Sequence, residues 1–273
     1  MSGLLVKFWG VRGGIPTPEA SNLAYGGNTP CVEIRFRDRL RLILDAGTGL
    51  RGLGNAMVQE RQDPPAQTHV FLSHFHWDHI QGLPFFAPLY SSDWKLTIHS
   101  SRPVPELQAA LTTQMNHPYF PAAAAIRAEV THRQLSSAGV ALEELTVRPF
   151  ALHHPGGSTG YRIDSPGASI VFATDHEHGD AAGDSSLRQH AEGADLLIYD
   201  AQYTPQEYED RKGWGHSTWL EGARLAESAG VKQLILFHHD ARRSDSGVSE
   251  LEQAARTVFG NTIAVREGWI REF

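Results

Sequence analysis

Residues 73–79, Ser-His-Phe-His-Trp-Asp-His, constrain this chain more than any other segment, and they directly follow the apolar run 70–72. Three imidazoles and one carboxylate within six residues predict a metal site, because these side chains are common ligands of zinc and related ions. His74 and His76 are two residues apart, so in an extended segment their side chains point to the same side, as two ligands of one ion do. The Asp-His pair that closes the segment follows where the strand must turn, and from there it can reach a second ion. A solvated or packed loop is the alternative, and the density of ligand-type side chains disfavours it.

Imidazole nitrogen and carboxylate oxygen suit zinc, manganese and iron. Two ions about 3.5–4 Å apart can hold both the attacking and the leaving oxygen of a displacement reaction. We therefore predict two divalent ions as cofactors, with zinc favoured and manganese or iron as alternatives.

The length of 273 residues allows one large domain or two small ones, and 41% hydrophobic with 20% charged residues is typical of a globular protein. Cys31 is the only cysteine, which excludes an intramolecular disulfide and a thiolate zinc site. The start of the chain lacks the basic and apolar segments of a signal peptide, and no run approaches membrane-spanning length. We expect a cytoplasmic protein without a membrane partner.

The net charge of −7 indicates no large nucleic-acid surface, since proteins that neutralise many phosphates usually carry a basic stripe. A small phosphodiester remains compatible with this charge, because two bound cations can dominate the field within a pocket. The expected partner is therefore a small substrate.

Apolar runs that predict strands alternate with patterns that predict helices. The predicted strands are 4–9, 31–37, 40–44, 70–72, 95–99, 145–151, 160–163, 169–173, 196–199 and 233–237, and the predicted helices are 50–57, 104–111 and 219–228. Ligand-type side chains follow several of these strands in both halves of the chain, which is how a scaffold presents one site from several loops. We predict one domain, 1–273, with an insertion around 100–135 that walls the substrate pocket.

The pattern His-x-His-x-Asp-His after a strand resembles the signature of the metallo-β-lactamase fold superfamily. The order of motifs over nearly the whole chain resembles its phosphodiesterase branch, which includes tRNase Z and the phosphonate-pathway and cyclic-nucleotide phosphodiesterases. The resemblance implies an α/β fold of the αββα sandwich type, with two mixed β-sheets packed between helices. It also implies a homodimer.

The resemblance further implies a set of metal ligands. They are His74, His76 and His154 on one ion, Asp78, His79 and His238 on the other, and Asp175 as a bridge between both. His153 and His239 remain alternatives to their neighbours His154 and His238. Asp45 would support the ligands from behind, with a helix cap at Asp45 or Thr48 as the alternative.

His216, in a His-Ser-Thr sequence, resembles the histidine that lies beside the leaving group in tRNase Z-like enzymes, with Asp200 in the place of its carboxylate partner. A carboxylate-oriented imidazole can be protonated near neutral pH and stabilise a departing alkoxide. The alternative is a helix N-cap at Ser217 or Thr218 with an incidental histidine. Asp78, His216 and Asp200 are the predicted catalytic residues.

Four further residues are predicted to contact substrate. Asn28 lies in a glycine-rich loop that could approach an anion, and His117, Tyr119 and Phe120 could stack on a base. Ordinary turn chemistry and packing of the insertion are the alternatives.

These features predict a dinuclear metal-dependent hydrolase that cleaves a small phosphodiester, with a cyclic nucleotide as a candidate, through a metal-bridging hydroxide. No Gly/Pro-rich arm of the kind with which tRNase Z grips tRNA is evident. The alternatives are a thioester, lactone or β-lactam hydrolase with the same ligands, and a non-catalytic metal-loaded protein that binds a nucleotide.

Overall fold

Two mixed β-sheets pack face to face in the computed structural model, which describes residues 3–37, 39–60, 67–121 and 125–273. The strands are β1 (Leu4–Gly10), β2 (Cys31–Phe36), β3 (Leu40–Leu44), β4 (Gln67–Phe71), β5 (Lys95–Ser100), β6 (Glu129–Gln134), β7 (Val140–Leu142), β8 (Leu145–Leu152), β9 (Ser158–Asp164), β10 (Ser169–Ala173), β11 (Leu196–Asp200), β12 (Leu234–Phe237), β13 (Thr262–Ala264) and β14 (Ile270–Glu272). The helices are α1 (Gly49–Glu60), α2 (Trp77–Ile80), α3 (Val104–Met115), α4 (Ala181–Ala191), α5 (Pro205–Glu209), α6 (Trp219–Ser228) and α7 (Asp245–Arg256).

Each sheet joins an antiparallel half to a parallel half. The first has the order β14-β1-β2-β3-β4-β5-β6, in which β3 to β6 run parallel and the last strand of the chain returns to pair with β1. The second has the order β13-β12-β11-β10-β9-β8-β7, in which β10 to β13 run parallel. The parallel strands of each sheet end at one edge, so loops after different strands can meet there.

Three hydrophobic layers hold the sandwich together. Between the sheets, the rings of Phe8 and Phe172 each lie 5.8 Å from the ring of Phe237. Helices α1 and α3 cover the outer face of the first sheet, and α4, α6 and α7 cover that of the second. Strand β1 shows the expected period of two, with Leu4, Val6 and Phe8 buried between the sheets. The predicted αββα sandwich of two mixed sheets is confirmed.

The segment predicted as an insertion around 100–135 contains α3 and β6, and β6 extends the first sheet by pairing parallel with β5. Residues 122–124 of this segment lie outside the described residues. Its role as a wall of a substrate pocket stays a prediction. No helix in the described part of the chain is long and apolar enough to span a membrane.

Arg12, which is fully buried, connects the first loops of the chain to the loop that follows β12. Arg12 donates to the carbonyls of Gly26 at 2.9 Å and Arg243 at 2.6 Å, and its guanidinium lies 3.4 Å from the carboxylate of Asp245. Burial lowers the pKa of Arg12, while the charge of Asp245 counteracts this effect. Because these acceptors lie more than two hundred residues apart along the chain, Arg12 joins the two ends of the fold.

Replacement of this arginine is expected to destabilise the protein. Arg12→Leu leaves several buried carbonyls without a donor and should lower the free energy of unfolding by about 3 kcal/mol in urea denaturation. The matched control is Arg51→Leu on the exposed side of α1, which should change the free energy by less than about 0.5 kcal/mol. Equal denaturation midpoints for both variants would show that the buried hydrogen bonds of Arg12 do not stabilise the fold.

Candidate metal centre

Asp175, the second residue after β10, lies at the centre of a buried group of imidazoles. Its Oδ2 is 3.1 Å from Nε2 of His79 and 3.3 Å from Nε2 of His238. Its Oδ1 is 3.9 Å from Nε2 of both His74 and His154. One oxygen therefore faces one pair of histidines and the other oxygen faces the second pair.

The ligand-type atoms of the described residues form four overlapping groups, within each of which all atoms lie within 4.8 Å of one another. Two of these groups are His74, His76 and His154, and Asp78, His79 and His238. Asp175 belongs to the other two groups, one with His74 and His79, the other with Asp200, His216 and His238. Nε2 of His74 and of His79 is buried and makes no hydrogen bond with any described residue. Buried nitrogens without a partner are costly unless an ion binds them, so this donor set fits divalent metals.

The other ring nitrogens of these histidines are occupied, which orients the rings. Nδ1 of His79 donates to Asp45 at 2.8 Å, that of His154 to the carbonyl of Gly215 at 2.8 Å, and that of His238 to Oε1 of Gln202 at 2.9 Å. In the neutral form of each ring, this bond leaves Nε2 as the nitrogen without a proton, directed at the centre. Such partners fix the tautomer of a metal-binding histidine.

Asp45 lies behind residues 73–79 and is hydrogen-bonded to them. Its Oδ1 accepts from the backbone of Ser73 at 2.7 Å, and its Oδ2 accepts from the Ser73 hydroxyl at 2.9 Å. That hydroxyl lies 3.0 Å from Nδ1 of His74. Asp45 thus contacts His79 directly and reaches His74 through the Ser73 hydroxyl. Its role in metal binding stays a prediction.

Among the described residues, neither of the two alternative histidines, His153 and His239, belongs to a group of ligand-type atoms. Nδ1 of His153 lies 3.2 Å from the carbonyl of Glu177, and Nε2 of His239 lies 2.9 Å from the carbonyl of Val265. Burial lowers the pKa of His239 to about 3, so it remains neutral. The geometry therefore favours His154 and His238 over their neighbours.

Burial and neighbouring charges determine the protonation of the histidines around Asp175. Burial and the neighbouring charge of His79 lower the pKa of His74, which keeps it in the neutral, metal-binding form. Burial opposes protonation of His79, but the charges of Asp175 and Asp78 outweigh it and raise its pKa. A metal ion must displace that proton, so metal affinity should rise with pH.

Three residues of the site have left-handed backbone conformations. The φ angles are +60° at Asp45, +53° at Asp175 and +59° at His238, each just beyond the end of a strand. Non-glycine residues seldom adopt such angles, and they cluster at functional sites where the surrounding fold enforces them.

Two glycines allow backbone to approach the rings closely. A Cβ at Gly215, whose φ is +87°, would lie 2.1 Å from Nδ1 of His154, and one at Gly13 would lie 2.4 Å from the ring of His238. The neighbouring Gly14 donates its N–H to Oδ2 of Asp78 at 2.7 Å. The first glycine-rich loop therefore forms part of the site.

His216 lies beside the group and is bonded to a fully buried carboxylate. Its Nδ1 donates to Oδ2 of Asp200 at 2.8 Å, and its ring stacks on that of His238 at 5.0 Å. Burial opposes protonation, but the charge and hydrogen bond of Asp200 raise the pKa of His216 to about 9. Thr218 separately caps α6 by accepting from Glu221, so the capping interpretation and the histidine pair coexist.

Comparison with known proteins identifies the family of this chain. The model of a beta-lactamase superfamily domain matches residues 40–239. The chain belongs to the beta-lactamase superfamily. Ribonuclease Z of Lacticaseibacillus casei is 26% identical over 315 aligned positions that cover 96% of this chain and 93% of that protein.

Two solved structures share the fold. The metallo-beta-lactamase fold protein YhfI from Bacillus subtilis has a TM-score of 0.75 at 22% identity, with 99% of both chains covered. The short form of human tRNase Z has a TM-score of 0.68 at 19% identity, with 98% of both chains covered. The predicted metallo-β-lactamase fold and the resemblance to its phosphodiesterase branch are confirmed.

The prediction that excluded a large nucleic-acid surface was wrong, because relatives that align with 96% of this chain are named ribonucleases. The net charge of −7 is a sum over the whole molecule. Attraction to a phosphate depends instead on charges within a Debye length, about 8–10 Å in ordinary buffers. An acidic total therefore does not exclude an RNA partner for a superfamily member.

The predicted substrate residues lie in differing surroundings. The backbone N–H and the side-chain amide of Asn28 both donate hydrogen bonds to the carboxylate of Glu267. The Asn28 side chain is therefore engaged within the fold. His117 and Tyr119 are exposed, and the ring of Phe120 packs edge-on against Phe85 at 5.4 Å. Their contact with substrate stays a prediction.

Glu177, two residues after Asp175, has a role that the sequence motifs did not indicate. This buried carboxylate accepts the N–H of Gly213 at 2.6 Å and of Gly215 at 2.7 Å. Burial alone would raise the pKa of Glu177, but those N–H bonds lower it. Glu177 thereby holds the loop whose carbonyl orients His154. A carboxylate beside a predicted ligand was the only signal in the sequence.

Replacement of Glu177 is expected to weaken metal binding. In Glu177→Gln, an amide NH2 must face a backbone N–H donor, so the Gly215 carbonyl shifts and His154 loses its orientation. Metal affinity should fall about 10- to 100-fold, as for other residues that orient ligands, in competition titrations with a chromophoric chelator.

The matched control is Glu209→Gln in α5, whose carboxylate is exposed and pairs with Lys212. It should retain wild-type affinity. Wild-type affinity in the Glu177 variant would contradict the proposed route through the Gly215 carbonyl.

Proposed function

We propose that the protein is a metal-dependent hydrolase of phosphodiesters and that RNA is among its substrates. The observation that carries this proposal is the His216–Asp200 pair, with its 2.8 Å hydrogen bond, beside the buried group around Asp175. Ribonucleases that align with nearly the whole chain support the substrate class.

The residues that would hold the ions are His74, His76, His154, Asp78, His79, His238 and Asp175. Divalent ions at such a site supply a nucleophile from water near neutral pH and offset negative charge on phosphate oxygens. We propose zinc, with manganese and iron as the alternatives that metal analysis distinguishes.

His216 is proposed to protonate the leaving oxygen. Because Nδ1 donates to Asp200, the second nitrogen, Nε2, is available to carry a proton towards substrate. Asp200 is fully buried, so its charge acts on the imidazole in surroundings that screen it weakly. The alkoxide that leaves an RNA phosphodiester is a strong base, and such a leaving group benefits most from a proton donor.

The same pair disfavours the thioester alternative, since a thiolate is a weaker base than an alkoxide and departs without a proton. Cleavage of a cyclic nucleotide remains a prediction from the resemblance. It is tested with cyclic nucleotides in the assay that measures RNA cleavage.

The test compares two leaving groups in metal-analysed protein. His216→Ala should lower kcat on single-stranded RNA about 100-fold or more, the usual contribution of general acid catalysis. On bis(p-nitrophenyl) phosphate the same variant should lose less than about 10-fold, because p-nitrophenolate is a weak base that leaves without a proton. Metal content should stay at the wild-type value.

His76→Ala is the matched control, because it removes a proposed ligand. It should lower metal content and both activities together. Equal losses on both substrates in the His216 variant would reject its role as the acid, and metal-replete wild-type protein without phosphodiester turnover would reject the proposed function.

A further inference from the structure

Two tryptophans beside the metal centre are largely exposed. Trp77, the first residue of α2, is 75% exposed, and Trp214 is 60% exposed. Tryptophan is highly buried on average, and large apolar side chains at the surface near a site often mark an interaction.

A short path of contacts connects the two tryptophans through the metal centre. Trp77 directly follows His76, whose Nδ1 lies 3.2 Å from Nε2 of His154. Nδ1 of His154 donates to the carbonyl of Gly215, which directly follows Trp214. Both tryptophans are therefore next in sequence to residues of the half of the site that contains His76 and His154, and we call this pair of tryptophans the rim.

The backbone that carries each indole is held firmly. Gly213 and Gly215, on either side of Trp214, both donate to the buried carboxylate of Glu177. The residues on either side of Trp77 are the proposed ligands His76 and Asp78, and Asp78 accepts from Gly14 at 2.7 Å. Rigid aromatic side chains lose little conformational entropy on binding, which suits them to recognition.

We propose that Trp77 and Trp214 stack on bases that flank the cleaved phosphate of a single-stranded nucleic acid. This inference rests on the proposed function. Stacking on an aromatic ring accepts every base, because each base has a π-face, so this rim would bind single strands with little sequence preference.

Charge beside the rim favours a nucleic acid over a second apolar surface. Arg102 is exposed and donates to the carbonyl of Gly156, two residues from His154. Arg211, whose carbonyl accepts the N–H of Trp214, lies with its guanidinium 5.1 Å from the ring of Tyr203. Cations beside stacking rings are the usual combination in proteins that bind single strands.

The test compares an RNA oligonucleotide with the same RNA carrying abasic residues on both sides of the cleaved phosphate. For metal-loaded wild-type protein, removal of the bases should raise KM roughly 5- to 150-fold per lost stacking contact. Trp77→Ala and Trp214→Ala should each raise KM for the intact RNA by a similar factor and respond less to base removal. Trp77→Phe should restore most of the difference.

Ile270→Ala, which removes an exposed side chain on the edge strand β14, is the matched control and should leave KM unchanged. Binding is measured separately by fluorescence anisotropy with a labelled phosphorothioate oligonucleotide, and metal content is measured for every variant. Tryptophan variants that bind both oligonucleotides as the wild type does would overturn the inference.

The outcomes separate this inference from the proposed function. Wild-type hydrolysis of bis(p-nitrophenyl) phosphate with unchanged oligonucleotide binding in the tryptophan variants leaves the function standing and rejects the stacking rim. Base-dependent binding that needs both tryptophans, in protein without phosphodiester turnover, supports the rim and rejects the function. If the alanine variants instead dissociate a dimer in sedimentation and leave oligonucleotide binding unchanged, the rim is a subunit contact and the inference fails.

Discussion

Burial of negative charge at one edge of the sandwich is the constraint on which the site depends. Asp45, Asp78, Asp175 and Asp200 are each at most 7% exposed, and a buried carboxylate is costly unless cations or hydrogen bonds compensate it. Asp45 and Asp200 are compensated within the protein, by Ser73, His79 and His216. Asp78 and Asp175 each accept one hydrogen bond, from Gly14 and Thr174, and otherwise face imidazole nitrogens, which lack protons when the ring is neutral and its other nitrogen donates. Divalent cations compensate the negative charge of these carboxylates, so the same ions account for both the burial of the carboxylates and the set of ligand-type side chains around them.

The fold provides the rigidity that this arrangement needs. Aromatic contacts in the layer between the sheets, such as that of Phe8 in β1 with Phe237 in β12, hold one sheet against the other. Asp45, Asp175 and His238 can then keep left-handed backbone angles that an isolated loop would relax. Strain at these strand ends turns side chains from both sheets towards one centre. The local strain is thus supported by packing far from the chemistry.

Sequence patterns predicted the elements whose information is local. The apolar runs predicted the central strands, and the motif at 73–79 predicted a cluster of ligand-type residues that the structure brings together with His154, Asp175 and His238. The short edge strands β13 and β14 were not predicted, because three-residue strands carry too little periodicity and depend on their partners. Glu177 escaped assignment for a related reason: its partners Gly213 and Gly215 are 36 and 38 residues away, and only the folded chain brings them together. A local sequence pattern does not report burial or contacts between residues that are far apart in the chain.

The exclusion of nucleic acid failed because it treated charge as a property of the whole molecule. A net charge of −7 is distributed over a surface much wider than the Debye length, whereas a phosphate in the site senses the nearby groups and any bound ions. Stacking adds a contribution that net charge does not report, since Trp77 and Trp214 need no cationic stripe to contact bases. An acidic protein can therefore bind a single strand at one edge while the rest of its surface repels it. Such repulsion would confine the strand to the site, where the bases meet the indoles and the phosphate meets the metal centre.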